Sequence, residues 1–140
     1  MATFTSQIFE ILTLNGDNVG SSVTQTITGI NYVDNRILSI PSGAVTTLFN
    51  MEATPGAGTF VTSSIQYVRV TNTSPTIPIK LIVSSSTEAM SYLIATGSSY
   101  MMSTSKMTGS TSGLSFGDVK SVKVEPSGSS GSVEYYIATT

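Results

Sequence analysis

Ile65-Gln66-Tyr67-Val68-Arg69-Val70-Thr71, then Asn72-Thr73-Ser74-Pro75-Thr76, then Ile77-Pro78-Ile79-Lys80-Leu81-Ile82-Val83: two alternating runs flank a cluster of turn formers. Alternation with a period of two puts every second side chain on one face of an extended chain, and β-branched and aromatic residues fit such a pleated surface. The stretch reads as a β-hairpin. Pro78 has no N–H to give to a ladder, so its strand either starts there or lies at a sheet edge.

The same reading extends both ways. Residues 8–14 form a run that stops at Asn15-Gly16-Asp17-Asn18, where the Asn-Gly step tolerates positive φ. Runs at 23–28, 30–33, 36–40 and 45–51 follow, separated by Asp34-Asn35, Pro41-Ser42-Gly43 and finally Thr54-Pro55-Gly56-Ala57-Gly58. Downstream, 100–102, 114–116, 119–124 and 133–138 alternate in the same way, the last two around the loop Pro126-Ser127-Gly128-Ser129-Ser130-Gly131 as a second hairpin. In the final run Val133, Tyr135 and Ile137 face one way, Glu134 and Tyr136 the other. Between Glu88 and Thr96 two patterns compete. Ser85 and Glu88 have capping-box spacing, and Met90, Leu93 and Ile94 would share a helical face, but nothing else in the chain is helical and the strand reading is preferred.

With 24 Ser, 21 Thr and 12 Gly in 140 residues, disorder has to be weighed. Disordered chains lack β-branched and aromatic residues; this one carries 12 Val, 12 Ile and 11 aromatics. The expectation is an all-β, single-domain antiparallel β-sandwich or flattened barrel of about 8–10 short strands over residues 8–140, preceded by an N-terminal arm at 1–7. No repeat of fixed period suggests a solenoid or propeller.

Composition excludes whole classes of chemistry. There is no Cys and no His, hence no thiolate or imidazole to act as nucleophile, base or metal ligand. No cofactor, metal or catalytic residue is expected. The eight carboxylates show no paired spacing of the kind a glycosidase brings together, and Asn15-Gly16-Asp17-Asn18 lacks the ligand run of a calcium loop. Thr54–Thr59 is Gly-rich but lacks the Lys and following helix of a phosphate loop. Asn72-Thr73-Ser74 matches a glycosylation sequon with Pro75 directly behind it. A net charge of −2, with six basic residues scattered between Arg36 and Lys123, argues against nucleic acid. No run of about 18 apolar residues argues for a membrane span, and the first residues lack the basic and apolar regions of a signal peptide. Synthesis in the cytoplasm is the expectation.

Tyr67-Val68-Arg69-Val70-Thr71-Asn72, preceded by Gly56-Ala57-Gly58-Thr59-Phe60-Val61 and followed near the end by Val133-Glu134-Tyr135, resembles small virion structural proteins of tailed bacteriophages, of the marine and cyanobacterial type. The likeness covers about 27–138 and departs at Ser74-Pro75, where the family has an acidic residue, and at Thr96-Gly97, where it has Pro-Gly. It implies a non-enzymatic capsid cement or decoration protein, a homo-oligomer on the virion whose partners are the major capsid protein and copies of itself. A tail, neck or fibre component is the alternative. The candidate contact residues are Ala2, Thr3, Phe4 and Thr5 in the arm, and Tyr100, Met101, Met102 and Met107 beside the Ser/Thr/Gly segment 103–113. From other classes, a carbohydrate-binding or carbohydrate-active module would use the Tyr-rich strands with Glu134 or Asp118; a bacterial surface or pilus-like protein is disfavoured by the missing signal peptide.

Overall fold

The computed structural model describes residues 2–61, 64–103, 108–111 and 114–140; within 108–118 it describes backbone pairing alone. The described residues form strands and no α-helix, as the alternation requires. The chain divides into two compact units, Met1–Asn31 and Tyr32–Thr140.

The first unit is a ribbon. Strand β1 (Ala2–Glu10) pairs antiparallel with β4 (Ser21–Ile30), so the residues expected as an arm are half of a ladder. At its tip β2 (Thr13–Leu14) and β3 (Asp17–Asn18) close on Asn15 (φ 52°) and Gly16 (φ 90°), the positive-φ turn that Asn-Gly announces. Gly29 (φ 81°) is the extra residue of a bulge, where the register slips between Ala2 and Thr3.

The second unit is a sandwich of nine strands. One sheet runs β10 (Ala89–Ile94), β9 (Ile79–Ser84), β14 (Ser121–Pro126), β6 (Thr46–Glu52), β7 (Thr59–Val61); the other runs β11 (Ser99–Met102), β8 (Ile65–Asn72), β15 (Gly131–Thr139), β5 (Tyr32–Ile40). Among the described residues the strand pairs are antiparallel except β6 with β7, which is parallel. Among the described residues, β12 (Thr108–Thr111) and β13 (Leu114–Asp118) pair with each other as a two-stranded sheet. The inner faces of the two large sheets share one core: Phe49, Met51, Leu81, Val83, Val122 and Val124 from the first meet Ile40, Val68, Val70, Val133, Tyr135 and Ile137 from the second. Burial alternates along β15 as its sequence predicts, with Val133, Tyr135 and Ile137 inside and Glu134 and Tyr136 half-buried on the other face.

Pairing differs from the sequence expectation at both hairpins. β8 and β9 lie in different sheets, and so do β14 and β15. Their connections are arches across the sandwich. A two-residue turn forces the strands it joins to pair, but a loop of four to six residues is long enough to step the roughly 10 Å between packed sheets. Asn72 fixes the first arch: its buried side-chain amide donates to the carbonyls of Ile77 (2.8 Å) and Ile94 (3.0 Å), and its Oδ1 accepts from the Ser74 N–H (2.9 Å). Pro78 immediately precedes β9, which is an interior strand, so it marks a start and not an edge.

Two smaller differences have local causes. Ser85 Oγ accepts from the N–H groups of Glu88 (2.9 Å) and Thr87 (3.2 Å), so the capping-box spacing is real but closes the tight turn between β9 and β10. Asp34-Asn35 is not a turn. It lies in mid-β5, where tertiary partners described below hold the aspartate.

Candidate functional site

Three surfaces carry candidate chemistry. The first is the ribbon. Cα partners across it put Phe4 beside Ile27 and Ile8 beside Val23 on one, more apolar face, with Ser6 beside Gln25 between them, while Thr3 with Thr28, Thr5 with Thr26, Gln7 with Thr24 and Phe9 with Ser22 line the other. At the tip the apolar residues face water, Phe9 being 66% and Ile11 83% exposed, with Leu12, Leu14 and Val19 more than half exposed. Of the expected contacts, Phe4 thus belongs to the apolar face, Thr3 and Thr5 to the hydroxyl face, and Ala2 to the bulge.

The second surface is the edge formed by β10 and β11. Tyr100 and Met102 pack against the core, whereas Met101, on the opposite face of β11, is exposed and its sulfur accepts from the Tyr67 hydroxyl (3.6 Å). The Tyr92 and Tyr100 rings lie 4.9 Å apart, and burial pushes the Tyr100 hydroxyl up to about 12, helped by Tyr92. Three of the four Tyr/Met contacts are therefore adjacent on one edge strand, two of them packed inward. Met107 lies outside the described residues.

The third is a cleft of about 370 Å³ within the sandwich unit, at the end where β5, β7, the Pro55–Gly58 loop and the last residues of β15 meet. Tyr32, Asp34 and Arg36 alternate along β5 and share its wall with Phe60 of β7. Asp34 is gripped on both oxygens: Arg36 Nε donates to Oδ1 (3.0 Å) and the Tyr135 hydroxyl donates to Oδ2 (2.8 Å). Burial first, and then the hydrogen bond to Asp34, push the Tyr135 hydroxyl up to about 12; the bond to Asp34 raises the Arg36 guanidinium further. A chain of rings leads from the core to this wall, Tyr135 to Phe49 (5.6 Å), Phe49 to Phe60 (5.8 Å) and Phe60 to Tyr32 (6.2 Å). This constellation was hidden by reading Asp34-Asn35 as a turn. The period-two spacing of Tyr32, Asp34 and Arg36 is the signal that would have found it.

Two further ion pairs lie on the sandwich. Glu134 pairs with Arg69 (3.2 Å) and Glu125 with Lys80 (3.1 Å), the second across directly paired positions of β14 and β9. The side chain of Asp118 lies outside the described residues. Among the described residues no cluster of three or more acidic groups is placed to hold a metal ion, and no buried side-chain nitrogen or oxygen lacks a partner.

No family model matches the chain, and no curated protein matches it. Among solved structures it is similar to one described as "Bacillus endospore appendages form a novel family of disulfide-linked pili", with 14% identity, a TM-score of 0.46, and coverage of 78% of this chain and 87% of that one. This chain, having no cysteine, forms no disulfide.

Proposed function

We propose that this chain is a non-enzymatic structural subunit that works by contact, docking through its N-terminal ribbon onto a larger protein assembly and onto copies of itself. The observation that carries the reading is the ribbon. A two-stranded antiparallel pair is marginally stable in water by itself, and contiguous exposed apolar surface on a folded chain marks an interaction site. Here the exposed Ile8 pairs with the exposed Val23, and the adjoining tip presents Phe9, Ile11, Leu12, Leu14 and Val19 to solvent. The likeness of 27–138 to tailed-phage virion proteins supports a specific setting: the outer surface of a capsid, with the major capsid protein as partner and the chain as a homo-oligomeric cement or decoration protein.

The test has two arms. Replacing Phe9 and Ile11 together by Asp should abolish concentration-dependent association in sedimentation velocity; unchanged association removes the ribbon from the assembly. Particles released from the source cells should contain the chain at a stoichiometry near that of the shell protein. Absence from particles sinks the capsid setting, and recovery at a few copies per particle moves the chain to the tail.

A further inference from the structure

The cleft beside Asp34 is not used by the assembly reading, and its chemistry is selective. Its volume of about 370 Å³ lies near the lower end of small-ligand pockets, which run from roughly 300 to 1,000 Å³. Its principal acceptor is fixed before any ligand arrives. The Asp34 side chain is 12% exposed and takes one hydrogen bond on each oxygen, from Arg36 and Tyr135, so neither ring nor strand has to move to orient it. Each carboxylate oxygen has a second lone pair, and the guanidinium has N–H groups beyond the one given to Asp34. Acceptors and donors therefore lie side by side on one strand. Next to them Tyr32, 53% exposed, offers an aromatic face held in place by Phe60, with the rings tilted at 42°.

Ligand classes separate on these features. An anion would meet Arg36 but also the carboxylate of Asp34; a cation would meet the carboxylate but also the guanidinium. An apolar ligand would strip water from the remaining lone pairs and N–H groups of that ion pair without replacing its hydrogen bonds, which is costly. A molecule whose hydroxyls both donate and accept, and which also has an apolar C–H face, satisfies all three side chains. We propose that this cleft binds a neutral saccharide of one or two rings, with adjacent hydroxyls bridging Asp34 and Arg36 and the C–H face of a ring lying on Tyr32. The cleft adds a glycan contact to a protein whose assembly surface is elsewhere in the sequence, and it stands whether or not the ribbon drives assembly.

The experiment uses the full chain on an array of neutral and acidic glycans, followed by amide chemical-shift titration with the methyl glycosides of glucose, galactose and mannose and with N-acetylglucosamine. Saturable shifts are expected at residues 32–36, 56–60 and 139–140. Tyr32→Ala and Asp34→Asn should each weaken binding about tenfold or more, while Tyr32→Phe, which keeps the ring, should retain it. Tyr32 is at the surface, so its variants leave the core intact; Asp34→Asn keeps an acceptor for Tyr135, and both are checked by an unchanged amide spectrum away from the cleft. The proposal is overturned by an array and titrations without saturable neutral-sugar binding, by shifts mapping elsewhere, by indifference to Tyr32→Ala and Asp34→Asn, or by binding confined to acidic glycans or inorganic phosphate.

Discussion

Asn72 shows how much one side chain can decide. It is fully buried, it closes the arch between β8 and β9, and all three of its side-chain hydrogen bonds go to backbone groups. Its backbone is equally committed, the N–H donating to Ser98 O (3.0 Å) and the carbonyl accepting from Gly97 (2.9 Å). In this state the sequon that begins at Asn72 has no accessible amide nitrogen. Asn72→Ala would leave the carbonyls of Ile77 and Ile94 and the N–H of Ser74 without those partners, at about 1–3 kcal/mol for each group that water cannot reach. A loss of about 2–4 kcal/mol in urea unfolding is expected. A loss below about 0.5 kcal/mol would mean that the arch is held by its other contacts. Those are in place: the Ser74 hydroxyl accepts from Ser132 N–H (2.8 Å), and the Thr73 N–H donates to Ser132 O (3.0 Å), tying the arch to the start of β15.

Among the elements, the ribbon depends most on small details of backbone. A Cβ at Gly20 would run into the carbonyl of Glu10, directly beside the position where β1 ends and β4 begins, and no flexible side chain is there to give way. Gly20→Ala should therefore open the end of the β1–β4 ladder. Hydrogen exchange is the measurement: amides of 8–10 and 21–23 should lose protection while those of β8 and β15 keep theirs, and an unchanged pattern would show that the chain accommodates the methyl by a local shift. The elements also show what a single sequence can carry. Alternation located the strands of the sandwich because burial of one face is a local, period-two property, visible in Val133-Glu134-Tyr135-Tyr136-Ile137. Partner choice is not local. Nothing in residues 72–78 says whether the chain folds back on β8 or crosses to the other sheet, because both routes put Ile79, Leu81 and Val83 into the same core. The cleft was lost for a related reason: Asp34 resembles a turn residue until Tyr135, 101 positions away, supplies the hydrogen bond that keeps it in a strand.

For the whole molecule, two tyrosines link stability to alkaline pH. Tyr135 and Tyr100 have hydroxyls pushed from 10.0 up to about 12, chiefly by burial. A phenol whose folded value is raised ionises first in the unfolded chain, so its contribution to stability is complete below pH 10 and is lost as pH rises through 12. The urea midpoint should fall over that window, and the fall should be shallower in Tyr100→Phe and Tyr135→Phe, which have no proton to lose there. Equal slopes in the wild type and both variants would assign the alkaline loss to other groups.

The place of β15 between β8 and β5 governs how the molecule comes into being. Among the described residues β5 has its ladder in the second sheet with β15, yet Tyr135 is made 101 residues after Asp34. At translation rates of about 5–20 residues per second, that interval is roughly 5–20 s. During it the nascent chain carries β5, and once β8 has been made also the side of β8 that will receive β15, as open edges, in a polypeptide with few charges to keep neighbours apart. The arrival of β15 from the ribosome pairs both strands at once and joins the second sheet into one.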